Sequence, residues 1–191
     1  MLDNLNSSFP GYFIHLRVHY LRSLDINRIY ANKKVEHRVM NVNSTNTPLT
    51  SALKVVAAYT EALAAGDNQK MEQLRAENFV LDFVTQDAWG FGPLSGEEPR
   101  NFWSAWFEGF PEMDFQVTRT IAAEEVVVTQ WIFTGTNTGP VPPIIEAQLE
   151  PTGKTIRFRG ISVYDIADGL LQCETTYIDL GTLLVELGVE L

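Results

Sequence analysis

Past Met40 this chain has no histidine, since His15, His19 and His37 all precede it, and Cys173 is its single cysteine. The side chains able to move a proton near neutral pH are therefore carboxylates and the hydroxyls beside them. Glu174 lies in Leu170-Leu171-Gln172-Cys173-Glu174-Thr175-Thr176-Tyr177-Ile178, a run with the composition of a strand. Asp179 follows directly, and Asp82 falls between Leu81 and Phe83. A carboxylate becomes a useful base when burial makes ionisation costly and lifts its pKa. Each of the three also has a plainer reading. Glu174 suits a wet rim, Asp179 a cap on a terminal turn starting near Leu180, and Asp82 the solvent side of a half-buried strand. Cys173 alternates with Glu174 and so points to the other face, which argues against a nucleophile.

Helices come first and long strands after. Thr47-Pro48 opens a helix as N-cap and first helical residue. Leu53, Val56, Ala57, Leu63 and Ala64 follow at helical spacing, interrupted by Thr60. Gly66-Asp67 ends it. A short second helix is expected over 68–76 and an extended piece over 78–84. Ser95-Gly96-Glu97-Glu98 has the spacing of a capping box, opening a third helix over 96–109 that carries Phe102, Trp103, Trp106 and Phe107. Strands then read over 115–123, 125–136, 154–166 and 170–178, the last two joined by the tight turn Asp168-Gly169. Such an order means an α+β fold: three N-terminal helices closing a curved antiparallel sheet into a cone, with a central pocket between the layers.

At 191 residues the chain has room for one real core. A formal charge of −10 argues against nucleic acid or an anionic membrane as the main partner. No apolar run approaches the roughly 20 residues that span a bilayer, and one cysteine fits a reducing compartment, so a cytoplasmic protein is expected. The charge is uneven. Before Met40 stand six basic residues against three acidic ones, leaving 8 and 21 beyond it. Residues 1–46 therefore read as a loosely ordered basic extension and linker rather than a targeting segment, and residues 47–191 as the domain.

Several linked pieces carry a family resemblance over Leu49 to Leu191. They are the helical AAYTEALAAGD, the GTNTG turn after a long strand, PTG opening the next strand, RGISVYDIADG, and a close through Tyr177-Ile178-Asp179 into LLVELG. In order and spacing they resemble the SnoaL-like polyketide cyclases, whose fold is that of nuclear transport factor 2. The resemblance implies a pocket enzyme that needs no metal or cofactor. It closes rings by moving a proton from a carbon acid while neighbouring groups stabilise the enolate oxygen. A homodimer is implied as well. Aligned on Asp168-Gly169, the family's catalytic histidine falls on Ser162 and its aspartate on Thr176, neither of them a base near neutral pH.

Granting Ser162 and Thr176 inward positions, strand alternation places Phe158, Gly160, Tyr164, Gln172 and Glu174 on the same inner face. Glu174, Asp179 and Asp82 are then the catalytic candidates. Tyr59, Trp103, Trp106, Asn137, Ser162, Tyr164 and Thr176 are the candidates for binding a small hydrophobic molecule. Trp131, with Tyr59, Trp103 and Trp106, suits core and pocket wall equally. Asn137 suits either a carbonyl contact or a backbone role in its turn. Arg157 and Arg159 fall on the outer face, and the proline-rich loop of residues 140–150 reads as a lid or a dimer contact. The expected activity is cofactor-free acid/base catalysis on a small apolar carbonyl compound, by polyketide-type ring closure. The alternatives are an isomerase or dehydratase on the same scaffold, or a non-catalytic ligand-binding or assembly module.

Overall fold

The computed structural model describes residues 48–85, 92–142 and 150–189. The basic head and most of the 140–150 loop lie outside the described residues. Helix α1 spans Pro48–Ala64. Its inward stripe is Ala52, Val56, Tyr59 and Leu63, rotated from the one the apolar spacing predicts, for Leu53, Ala57 and Ala64 are exposed. The reason is Thr60. Its hydroxyl donates to the carbonyls of Val56 and Ala57 at 3.0 and 3.1 Å, so it can be buried without an orphaned polar atom.

Helix α2, Asn68–Gln73, is capped by Asp67, whose carboxylate accepts from Lys70 N at 2.9 Å. It ends earlier than expected, and strand β1 begins at once, spanning Arg75–Phe83. Helix α3 is Glu98–Gly109. Glu98 reaches back to the Ser95 N–H at 2.9 Å, which is half of a capping box; the N-cap itself is Glu97 rather than Ser95, without a side-chain cap bond. The helix starts two residues late because Gly96 turns through the left-handed region at φ 60°.

Strands β2 (Met113–Ala122), β3 (Val126–Thr136), β4 (Thr155–Ala167) and β5 (Leu170–Ile178) form an antiparallel meander. The sheet is mixed rather than wholly antiparallel. Strand β1 joins it parallel to β5, giving the order β1-β5-β4-β3-β2. Asp168 and Gly169, at φ 53° and 75°, form the two-residue turn whose twist matches a hairpin. Close to that turn Asp165 pairs with Cys173 but Ile166 pairs with Leu171, so β5 carries one extra residue. The bulge corrects the expectation for Gln172. Leu171 is buried instead, and the Gln172 amide binds the Ala167 and Leu170 carbonyls at 3.0 and 3.3 Å.

Helix α1 packs on β2 and β3, while α4 (Leu180–Leu187) packs on β4. Helix α3 supplies an aromatic wall. Trp106 lies 4.7 Å from Phe110, 5.2 Å from Phe133 and 6.3 Å from Phe158, centroid to centroid. Among the described residues no helix is long and apolar enough to cross a membrane.

Candidate active site

The inner face of the sheet is apolar except along its middle. Register places Ser162 of β4 between Thr129 of β3 and Thr176 of β5, and places Tyr164 opposite Glu174, with Leu81 of β1 beyond. Ser162, Thr176, Thr129 and Glu174 are all buried, Glu174 at 2% exposure. Next to them Gly160 leaves room for an indole, because a Cβ there would run into the Trp131 ring.

Two chains of hydrogen bonds converge on Glu174. On one side Trp131 Nε1 meets Ser162 Oγ at 3.0 Å, Ser162 Oγ meets Thr176 Oγ1 at 2.9 Å, and Thr176 Oγ1 meets Glu174 Oε1 at 3.2 Å. Proton counting fixes its direction. The indole N–H can only donate and an ionised carboxylate can only accept. Thr176 spends its single proton on Glu174, so Ser162 donates to Thr176. On the other side the Tyr59 hydroxyl donates to Glu174 Oε2 at 3.0 Å. Its oxygen accepts from Arg75 Nη2 at 2.7 Å and from Nε at 3.2 Å.

Burial is the strongest influence on the Glu174 carboxyl and pushes its pKa above the usual carboxylate range. The Arg75 charge and the hydrogen bonds from Tyr59, Thr176 and Ser162 pull the other way without cancelling it. Burial and the neighbouring Glu174 hold the hydroxyls of Tyr59 and Tyr164 well above the ordinary phenol value, so both are neutral donors. Tyr164 OH lies within reach of Ser162, Thr129 and Glu174 without an aligned hydrogen bond. The Trp103 N–H and the Thr129 hydroxyl are likewise buried without a partner among the described residues.

Glu174, Ser162 and Thr176 are among the residues lining a cavity of about 40 Å³ whose surface is apolar. Trp103, Trp106, Phe102 and Phe83 build one wall, and Trp131, Phe115 and Phe158 another. A buried carboxylate beside an apolar cavity can take a proton from a carbon acid bound there away from water. Among the described residues no group of His, Cys, Asp or Glu side chains could hold a metal ion.

Of the sequence-predicted residues, the structure brings Glu174, Ser162, Thr176, Trp103 and Trp106 around the cavity, with Tyr59 and Tyr164 packed behind the carboxylate. Three stand elsewhere. Asp179 is exposed at the start of α4, where it accepts from Thr182 N and Oγ1 at 3.1 and 2.8 Å. Those bonds hold its carboxyl below the usual range. Asp82 belongs to the opposite face of β1 from Leu81 and Phe83, beside Thr175. Asn137 is buried but spent on backbone. Its amide donates to the Gly139 carbonyl at 2.8 Å and accepts from Thr152 N at 2.8 Å, tying the GTNTG turn to the PTG segment. Arg75 is the residue that sequence reasoning missed. Its partner Tyr59 lies 16 positions earlier on α1, and the two meet only in the folded chain.

Comparison with known proteins agrees with this architecture. A SnoaL-like polyketide cyclase profile matches residues 53–187. A protein of Jannaschia sp. CCS1, provisionally assigned as a SnoaL-like polyketide cyclase, superposes with a TM-score of 0.66 at 18% identity. The match covers 78% of this chain and 99% of that one. IdmH of Streptomyces antibioticus, provisionally assigned as a polyketide cyclase, gives 0.58 at 24% identity, over 72% of this chain and 99% of that one. An LEH-like epoxide hydrolase of M. tuberculosis gives 0.54 at 18% identity, over 73% and 90%. No curated protein matches the sequence. A profile match over this much of the chain, on the α+β cone and pocket just described, makes the protein a member of the SnoaL-like polyketide cyclase family.

Proposed function

We propose that this protein is a cofactor-free acid/base enzyme of the cyclase type, with Glu174 as its general base. The observation that carries the reading is a buried carboxylate, supplied by two donor chains, on a residue that lines an apolar, largely aromatic cavity. Substrate would present a carbon next to a carbonyl. Glu174 would take the proton from that carbon, the resulting enolate would attack a second carbonyl of the same molecule to close a ring, and the alkoxide so formed would take the proton back from Glu174. The unpartnered N–H of Trp103 is the donor we assign to the enolate oxygen, because a buried donor left unmade is costly and a developing oxyanion would satisfy it. Ser162 and Thr176 would serve as relay hydroxyls to Glu174 rather than as replacements for the family's histidine and aspartate.

The cavity of about 40 Å³ is too small for a ring system, since ligand pockets run to roughly 300–1,000 Å³. Binding would therefore require the wall of Trp103, Phe102 and Phe83 to move outward. That narrowness favours a second reading, a non-catalytic module whose buried polar cluster is structural.

Deuterium exchange into an apolar aryl β-diketone, followed by NMR in D₂O, separates the two. The full chain should catalyse exchange at the central carbon, and Glu174→Gln should slow it roughly 10²–10⁴-fold. Exchange equal to the buffer rate with the unaltered protein, across a panel of such carbon acids, supports the binding module.

A further inference from the structure

We infer that Arg75 is a positioning residue for the pocket carboxylate, acting through the Tyr59 hydroxyl as the counter-charge of Glu174. Arg75 opens β1 and is half-buried. Its guanidinium lies over the rings of Tyr59 and Phe79, 5.2 and 4.8 Å from their centroids. Two of its N–H groups, on Nη2 and Nε, reach one phenolic oxygen. That occupies both acceptor sites of the oxygen, so the Tyr59 proton can only be directed outward, and Glu174 Oε2 receives it at 3.0 Å.

The ion pairs among the described residues are Lys70 with Glu61 and Arg100 with Glu72, neither involving Arg75. A planar cation that would ordinarily clasp a carboxylate is instead fastened to a phenol, and the buried anion it serves lies one hydroxyl further in. The same arrangement locks the carboxylate's orientation. With Tyr59 donating to one oxygen and Thr176 to the other, the carboxylate plane cannot rotate without breaking a bond.

Among the described residues, the ionisable groups facing Glu174 are Tyr59 from α1, Arg75 from β1 and Tyr164 from β4, and of these Arg75 alone is charged. Helix α3 presents aromatic and uncharged residues to the cavity. Cys173, Asp82 and Asp165 belong to the opposite face of the sheet.

This inference rests on reading Glu174 as the pocket's base, but its test needs no turnover. The full chain carrying ¹³C-labelled glutamate carboxyls is titrated by NMR, with the Glu174 signal identified by its loss in Glu174→Gln. Arg75→Met should move the Glu174 midpoint upward by about one pH unit, the scale of losing a nearby opposite charge. Arg75→Lys should recover part of the shift. Arg100→Met, which removes a charge from α3, should leave the midpoint in place. Tyr59→Phe cuts the relay with Arg75 intact and covers the case in which Arg75→Met fails to fold. It should raise the midpoint too, and combining it with Arg75→Met should give less than the sum of the two shifts. A folded Arg75→Met protein titrating like the unaltered chain would overturn the inference, and so would strictly additive shifts. If the shifts appear as expected while Glu174→Gln retains full exchange activity, Arg75 still positions the carboxylate and the base assignment alone has failed.

Discussion

Burial of Glu174 has a measurable sign. Its folded pKa lies above the ordinary value, so the native state binds the proton more tightly than the unfolded chain does. The stability this gives is complete below the unfolded carboxylate value, near pH 4, and is lost as pH rises through the folded one. Glu174→Gln cannot lose it. The melting temperature of Glu174→Gln relative to the unaltered protein should therefore climb as pH is raised from about 4 to 8, and a flat difference would show that the carboxyl is not desolvated. Asp179 behaves in the opposite way, because its lowered pKa marks a cap that needs the charge. Asp179→Ala should cost about 1 kcal/mol in denaturant unfolding and leave the Glu174 titration unmoved. Alternation could place Ser162, Thr176 and Glu174 on one face because all lie on the same side of the bulge. It failed for Gln172, where the extra residue reverses the count. Arg75 was invisible for a different reason: its role is a meeting of two elements, and no local pattern marks it.

At the scale of elements, strands were easier to read than the first helix. Composition and turn chemistry set the boundaries of the four meander strands to within about two residues but missed the start of β1 by three, and Asp168-Gly169 marked the hairpin. The stripe on α1 came out rotated because Thr60 hides its hydroxyl in the helix backbone and goes inside. Spacing of apolar residues cannot register that. The parallel place of β1 was also out of reach, since nothing within Arg75–Phe83 states which strand it will pair with. Glycine in the middle of β4 does carry a signal, and it can be tested. Gly160→Ala puts a methyl group into the Trp131 ring, so the indole must leave Ser162. Overpacking of this kind costs roughly 1–3 kcal/mol. We expect a lower melting temperature together with a shift in tryptophan fluorescence. Unchanged stability and emission would mean the ring is not seated against Gly160.

For the molecule as a whole, the outer face of the sheet sets the expectation. Ile161 and Tyr177 stand out on it at 39% and 51% exposure, along a shallow groove shared with Ile132 and Arg159. Association of two copies would cover this apolar strip. Light scattering at micromolar concentration should report twice the 21.5 kDa of one chain, and a strict monomer would return the face to solvent. The family match begins at residue 53, so a chain beginning at Met40 should keep the melting temperature of the full one. A large drop on that truncation would make the basic head integral to the fold.

The place of β1 in the sheet bears on how the protein is made. Leu81 pairs with Glu174, so the strand that opens the sheet waits for the strand that completes it. Contacts so distant in sequence slow folding, because the loop between them must close before the pairing is rewarded. On the ribosome, β1 emerges well before β5, and a nascent chain halted ahead of the Asp168-Gly169 turn lacks the strand that pairs with it. Such an intermediate exposes an unpaired edge and is the species most prone to aggregate. The carboxylate arrives on the last strand, so its desolvation coincides with the final closure of the sheet. In a refolding experiment, burial of Glu174 should appear in the slowest phase.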